Sequence, residues 1–244
     1  MSYSEYDKIV LPLTLLAIIL AVSLVAVVLR NKSESIRSIP TKAVTVFMLF
    51  IEIIKQRWNL LGKFDAFYLP FHYCSLFIFV FILAELCGKR LSRIFRPIAI
   101  CMSFIVSAAM YVYPHGIMGD ATESFGKVFK NTHGFIFHHL IVLYMILVIA
   151  LRLSTPGFKD ALHVGILGTV YMSFAIPLSY ILNTNYNNIL TSVIPLMENI
   201  RNNYGQAVYI VLLTLFMTIG TFLGSLIYIA IQKIALCTIG LKND

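Results

Sequence analysis

The chain has 244 residues, of which 59% are hydrophobic and only 12% are charged. Soluble domains are about half apolar and about a quarter charged, so this composition, with a mean hydropathy of +0.85, predicts an integral membrane protein. The net charge of +8 would suit a nucleic-acid partner, but the basic residues lie in short loops between apolar segments, as topology determinants do. We therefore expect the membrane as its environment and no nucleic-acid partner.

Seven apolar segments are long enough to cross a bilayer as helices, because about twenty apolar residues span its hydrocarbon core. They cover residues 9–29, 43–58, 68–87, 94–113, 134–153, 162–182 and 207–236. The second segment is crowded near its end by Glu52, Lys55 and Gln56. The first has no signal-peptide cleavage site after it, so we expect it to be retained. No repeat or linker interrupts the chain, and we predict an all-α, polytopic helical bundle that forms one domain over residues 1–244.

The lysine and arginine residues set the predicted orientation. If the loops alternate between the two sides, one side collects twelve of the 19 basic residues. These are Arg30, Lys32, Arg37, Lys42, Lys89, Arg90, Arg93, Arg96, Arg152, Lys159, Lys233 and Lys242. The positive-inside rule places this side in the cytoplasm. We therefore predict seven spans with an external N-terminus and a cytoplasmic C-terminus, in the cell membrane of a bacterium.

The third segment opens with polar residues. Proline is favoured at the first position of a helix, so Pro70 predicts a helix that begins there and carries His72 and Cys74 about one turn into the membrane. An ionisable side chain at that depth is expected to face other protein groups or a wet cavity. Residues two apart point to nearly opposite sides of a helix. A base for Cys74 must therefore come from a neighbouring helix and not from His72.

Four segments place polar residues at one depth in the outer half of the bilayer under this topology. They are Glu52 in the second span, Cys74 in the third, His138 and His139 in the fifth, and Asn185 after the sixth. Because these segments are distant in sequence, their common depth indicates a site. A thiol beside an imidazole has the parts for nucleophilic attack on an acyl carbonyl, and a third polar group orients the imidazole. Glu52, Gln56 and Asn185 are the candidates for that third group.

Other functions account for the same residues. A buried cysteine is often inert packing, and a histidine near the interface often only bonds a carbonyl or a neighbouring helix. A structural membrane protein with a hydrogen-bonded core is therefore one alternative. Another is a small transporter or channel whose polar pathway is lined by Glu52, His72, His138 and Asn185, and which should continue into the cytoplasmic half. The four cysteines show no metal-ligand or CxxC spacing, so the sequence predicts no metal.

Three short motifs resemble those of the YwaF-like family of multi-pass membrane proteins. Residues 69–74 resemble its LPxHxC segment, residues 135–140 its F-[IL]-[YF]-H motif, and residues 182–186 its Asn-Tyr segment after the sixth span. The eukaryotic relative in this family is transmembrane protein 164, and the resemblance implies a lipid acyltransferase with a cysteine and a histidine on separate helices. More distant six-span relatives, the androgen-induced-gene hydrolases, imply a threonine and a histidine acting on lipid esters.

Carried onto this sequence, the resemblance makes Cys74 the acyl-accepting nucleophile and His138 its general base. His139 stands where the family motif has a small residue, so the choice between the two histidines stays open. His72 and Asn185 also match family positions, without an implied role. The resulting hypothesis is a membrane lipid acyltransferase or acyl-ester hydrolase that acts on a phospholipid or another fatty-acyl lipid near the outer leaflet. This chemistry needs no cofactor.

Overall fold

The computed structural model describes residues 4–238, which are predominantly helical and contain no β-strand. This confirms the predicted all-α class. Ten α-helices follow one another over this range: α1 (Glu5–Leu29), α2 (Glu34–Arg37), α3 (Ile39–Leu61), α4 (Leu76–Glu85), α5 (Lys89–Val112), α6 (Pro114–Met118), α7 (Phe129–Ala150), α8 (Phe158–Ile181), α9 (Pro195–Tyr204) and α10 (Gln206–Thr238). Short 3₁₀ turns occur at Ala66–Tyr68, Tyr73–Ser75 and Tyr186–Asn188.

Five of the described helices are long and apolar enough to cross a membrane, namely α1, α5, α7, α8 and α10. The chain is therefore a helical, multi-pass membrane protein. Each of the five overlaps a predicted span. The second and third predicted spans have a different form, since α3 carries several polar residues in its second half and α4 has only ten residues. At a rise of about 1.5 Å per residue, α4 alone covers only about half of the hydrocarbon core.

The helix predicted to begin at Pro70 begins six residues later, at the start of α4. This prediction was wrong because hydrogen bonds from a distant part of the chain hold the preceding segment in turns. The backbone N–H of Tyr73 donates to Asn187 Oδ1 at 3.0 Å, and the Tyr171 hydroxyl donates to the carbonyl of Phe71 at 2.9 Å. Proline favours a helix start only where such competing bonds are absent.

The interior of the bundle forms around α4, α5 and α7, because these helices bury many of their apolar side chains. Phe77 and Phe81 of α4 are fully buried, and Phe81 stacks on Tyr144 of α7 with ring centroids 3.8 Å apart. By contrast, only 11% of the residues in the apolar stretches of α1 and α10 are buried. Their exposed side chains, such as Leu24 and Val27, face the hydrocarbon of a membrane. Because Phe77 is fully buried, the N-terminal end of α4 lies within protein.

A buried ionic cluster joins five helices at the C-terminal end of α4. The Glu85 carboxylate accepts hydrogen bonds from Arg96 Nε at 2.9 Å, Arg96 Nη2 at 3.1 Å, the Tyr144 hydroxyl at 2.8 Å and the Thr41 hydroxyl at 2.8 Å. Arg96 also contacts Glu34 of α2 at 3.1 Å. A carboxylate at membrane depth requires such partners. The sequence prediction had counted Arg96 with a loop, whereas it lies inside α5.

Two glycines let α8 pack closely against α10. A Cβ atom added at Gly168 would lie 2.9 Å from the carbonyl oxygen of Met217, and one added at Gly165 would lie 3.2 Å from that of Thr218. Small residues at helix–helix interfaces permit this close approach in membrane proteins, where dispersion contacts hold helices together.

We expect Gly168→Ala to destabilise the protein by about 1–3 kcal/mol, because the added methyl group must displace the backbone of α10. Gly220→Ala, within α10, is the matched control, since the nearest atoms to its added Cβ lie 4.0 Å away. Alanine in a helix is favoured over glycine by about 0.5–1 kcal/mol. The measurement is the free energy of unfolding by SDS in mixed micelles. Equal stability of the two variants would contradict the close contact.

Candidate active site

Cys74 lies in the 3₁₀ turn Tyr73–Ser75, immediately before α4. Its thiol is free and its side chain is half-buried, while its two neighbours in the turn are buried. Irregular backbone at membrane depth is tolerated only where protein covers it or where it lines a cavity. Here the side chains of Asn187 and Tyr171 pack on the segment and hydrogen-bond its backbone. The thiol therefore lies at the N-terminal end of α4, in a segment that hydrogen bonds hold to α8 and to the loop after α8.

His138 of α7 contacts the thiol, with its Nε2 atom 3.4 Å from Cys74 Sγ. Its other ring nitrogen, Nδ1, lies 2.7 Å from the carbonyl oxygen of Gly134, one turn earlier in the same helix. A carbonyl oxygen only accepts hydrogen bonds, so Nδ1 carries the hydrogen. In the neutral ring this leaves a lone pair on Nε2, directed at the thiol. A nucleophile and a base on separate helices thus come within hydrogen-bonding reach.

His139 has the same kind of anchor but faces another helix. Its Nδ1 lies 2.8 Å from the Phe135 carbonyl oxygen, and its Nε2 lies 3.0 Å from the hydroxyl of Thr14 in α1. Neighbouring residues on a helix point about 100° apart, so the two histidines serve different partners. The structure brings His138, and not His139, to Cys74.

Glu52 lies in a separate polar cluster beside this pair. Its carboxylate contacts Lys55 at 2.7 Å, accepts a hydrogen bond from Gln56 at 2.7 Å and lies 3.3 Å from Nε2 of His133. The His133 side chain is 9% exposed and stacks on Phe137, with ring centroids 5.6 Å apart. Glu52 and Gln56 were candidates for orienting the imidazole, and they contact neither His138 nor Cys74. The backbone carbonyl of Gly134 orients His138 instead.

His72 and Asn185 shape the loops around the turn. His72 Nε2 lies 3.0 Å from the Phe67 carbonyl oxygen, and its ring meets Tyr186 edge-on with centroids 5.1 Å apart. Asn185 donates to Thr191, at 3.0 Å to its carbonyl and 2.9 Å to its hydroxyl. Asn185 was a candidate for orienting the imidazole, but its side chain bonds Thr191 and does not contact His138. Asn187, two residues later, is the asparagine that reaches the Cys74 turn.

Sequence reasoning missed several residues of this site. His133 was not among the predicted site residues, although the need of Glu52 for a partner at membrane depth was a usable signal. Asn187 and Tyr171 carried no signal, since their contacts depend on how the loop after α8 folds. The buried hydroxyl of Tyr73 has no hydrogen-bond partner within the described part of the chain, which leaves a free donor in the turn that holds the thiol.

Within residues 4–238, no group of three or more histidine, cysteine, aspartate or glutamate side chains is arranged to hold a metal ion. What the described groups offer is a thiol and a base with an oriented ring. These are the parts used in acyl transfer through a covalent intermediate.

The TMEM164 family model matches residues 2–225, nearly the whole chain. The chain belongs to the TMEM164 family. This confirms the predicted kinship with transmembrane protein 164 at the level of the family. The matched range contains Cys74, His138 and all of the helices from α1 to α9, so the TMEM164 family relationship covers the whole candidate site. Comparisons with curated proteins and with solved structures yield no match.

Proposed function

We propose that this TMEM164 family protein transfers fatty-acyl groups between lipids, or from a lipid to water, through a thioester on Cys74 with His138 as general base. The observation that carries the proposal is the contact of Cys74 Sγ with His138 Nε2 at 3.4 Å. The anchoring of His138 Nδ1 by Gly134 adds to it, because it leaves the basic nitrogen facing the thiol. The sequence resemblance that implies a lipid acyltransferase agrees with this chemistry.

The reaction proceeds in two balanced halves. Cys74 Sγ attacks the carbonyl carbon of a lipid ester as its proton passes to His138 Nε2, which forms a carbon–sulfur bond. The ester carbon–oxygen bond then breaks, and His138 returns the proton to the departing alcohol oxygen. In the second half, His138 takes a proton from the hydroxyl of an acceptor lipid or from water. That oxygen attacks the thioester, the carbon–sulfur bond breaks, and the proton returns to sulfur.

The proposal includes the orientation derived from the basic residues. Seven spans, with α3 and α4 as the second and third, give an external N-terminus and a cytoplasmic C-terminus, and the whole chain acts as one membrane domain. Cys74 then lies near the outer leaflet of the cell membrane, which we propose to be that of a bacterium of the YwaF-like group. A phospholipid of that leaflet is the substrate. Its ester groups lie just below the membrane surface, at the depth of the candidate pair.

The interior below Cys74 argues against a transporter or channel. Phe77 and Phe81 follow the thiol along α4, Ile141 follows His138 along α7, and all three are fully buried. Along α4 the next polar side chain is Glu85, whose carboxylate accepts hydrogen bonds from three residues of the ionic cluster. A polar pathway would need polar groups that continue toward the cytoplasmic side. The buried apolar side chains below Cys74 therefore favour an enzyme that acts near the outer leaflet over a transporter or channel.

The acyl intermediate provides the direct test. We expect the purified protein, incubated in nanodiscs with an alkyne-labelled phosphatidylcholine, to acquire a labelled acyl group on Cys74 that hydroxylamine removes, because hydroxylamine cleaves thioesters. Mass spectrometry of peptides locates the label. Cys74→Ser should lose the hydroxylamine-sensitive label.

Cys87→Ser is the matched control, because Cys87 is an exposed free thiol at the opposite end of α4. It should keep full labelling of Cys74. Label on Cys87 in place of Cys74, or an unchanged yield of lipid acyl exchange in Cys74→Ala, would refute the proposal and leave a structural role for the pair.

A further inference from the structure

A cavity of about 710 Å³ opens at the C-terminal end of α1, far from the Cys74 turn. Its walls come from α1, the loop to α2, the end of α2, and the segment that follows α7. Four of its lining residues are basic, and none is acidic: Arg30, Lys32, Arg37 and Arg152. We call this feature the basic cavity. The closest acid of α2, Glu34, contacts Arg96 of the ionic cluster at 3.1 Å, so it is already paired.

Arg37 is fixed at the wall of the basic cavity. Its Nη1 donates to the carbonyl of Leu151 at 2.6 Å and lies 3.5 Å from that of Arg152. Its Nε atom is buried and has no hydrogen-bond partner within residues 4–238. A guanidinium has five N–H donors in a rigid fork that suits phosphate oxygens. A guanidinium tethered in this way at the wall of the basic cavity loses little side-chain entropy on binding an oxyanion.

Arg152, which also lines the basic cavity, has an unusual backbone conformation. Its φ of +51° lies in the left-handed region, at the position just after α7 where glycine or asparagine is favoured. A long charged residue there costs backbone conformational energy. The Arg152 side chain lines the basic cavity, and its backbone carbonyl lies 3.5 Å from Arg37 Nη1. The positive-inside preference alone would be satisfied by an arginine at any loop position.

We propose that the basic cavity binds a phosphate group, independently of the acyl-transfer proposal. The phosphate belongs either to an anionic phospholipid headgroup or to a soluble phosphate anion. Two features favour the headgroup: Ala26 and Val27 of α1 form an apolar wall of the cavity, and Val27 is almost fully exposed on a helix that faces hydrocarbon. Acyl chains can lie along this wall while the four basic residues hold the headgroup.

Native mass spectrometry of the purified protein in a neutral detergent tests the proposal. The probes are dioleoylphosphatidylglycerol, zwitterionic dioleoylphosphatidylcholine and inorganic phosphate. We expect the wild type to retain one phosphatidylglycerol in preference to phosphatidylcholine. Arg30→Ala and Arg152→Gly should each weaken that binding about fivefold. Arg152→Gly should also keep or raise the thermal stability, because glycine relieves the left-handed backbone.

Arg93→Ala is the matched control, since Arg93 is an exposed arginine on the same predicted side that does not line the basic cavity. It should change the affinity less than about twofold. Binding of phosphatidylglycerol that millimolar phosphate does not displace identifies the headgroup as the source. Binding of phosphate alone, with the same loss in Arg152→Gly, identifies a soluble anion. The proposal is overturned by equal losses in Arg93→Ala and Arg152→Gly, or by the binding of neither phosphatidylglycerol nor phosphate.

Discussion

The His138→Ala protein is expected to exchange acyl groups between lipids about 10²–10⁴-fold more slowly than the wild type, which is the usual contribution of a positioned general base. The reason is local: Nε2 of His138 lies 3.4 Å from Cys74 Sγ, and its Nδ1 bond to Gly134 fixes the ring in that direction. Without the imidazole, the thiol has no acceptor for its proton in the attacking step. The measurement is transfer of a labelled acyl chain in nanodiscs, with each variant checked for its unfolding midpoint.

His139→Ala is the control for this prediction, because His139 has the same backbone anchor one residue along and faces Thr14. We expect its exchange rate to stay within about threefold of wild type. Added imidazole should restore part of the activity to His138→Ala, which a purely structural loss would not permit. A larger loss in His139→Ala than in His138→Ala would transfer the role of base to His139 and contradict the assignment.

The fold was predictable where hydropathy is continuous. The helices α1, α5, α7, α8 and α10 coincide with predicted spans because their apolar stretches are long enough to need a membrane. The prediction failed at the start of α4, where Pro70 was expected to begin a helix. Two bonds from residues more than ninety positions away, Tyr171 and Asn187, hold that segment in turns. Local sequence rules contain no term for such partners.

The candidate site was predictable in part. The helix geometry used to exclude His72 as the partner of Cys74 does not apply, because α4 begins only at Leu76, and His72 instead contacts the Phe67 carbonyl. The motif resemblance pointed to a histidine on α7. It left the choice between adjacent histidines open, because the rotation of α7 about its own axis depends on packing. The group that orients His138 was predicted as a side chain and is the backbone carbonyl of Gly134. Every helical residue has such a carbonyl one turn earlier, so its use depends on a rotamer that the sequence does not specify.

The second large effect is expected at the ionic cluster. Arg96→Met should reduce the free energy of unfolding by about 3–5 kcal/mol, because it leaves a buried carboxylate without its charged partner. The side chain of Glu85 has no solvent exposure and receives two of its four hydrogen bonds from Arg96. The hydroxyls of Thr41 and Tyr144 provide the others. They are neutral and leave the charge uncompensated. Unfolding by SDS in mixed micelles measures the loss.

A double-mutant cycle separates loss of the pair from loss of packing. Glu85→Gln removes the charge and keeps one oxygen that can accept from Tyr144 or Thr41, while the other hydroxyl can accept from the new amide NH2. Adding Glu85→Gln to Arg96→Met should therefore recover stability, with a coupling energy of about 0.5–3 kcal/mol. The same double variant keeps the test readable if Arg96→Met alone does not fold. Arg93→Met, an exposed arginine one turn earlier, should change stability by less than about 0.5 kcal/mol. A loss in Arg96→Met no larger than that control, or one that Glu85→Gln deepens, would show that the ion pair of Arg96 and Glu85 does not stabilise the folded protein. The link between α4, α5 and α7 would then depend on packing alone.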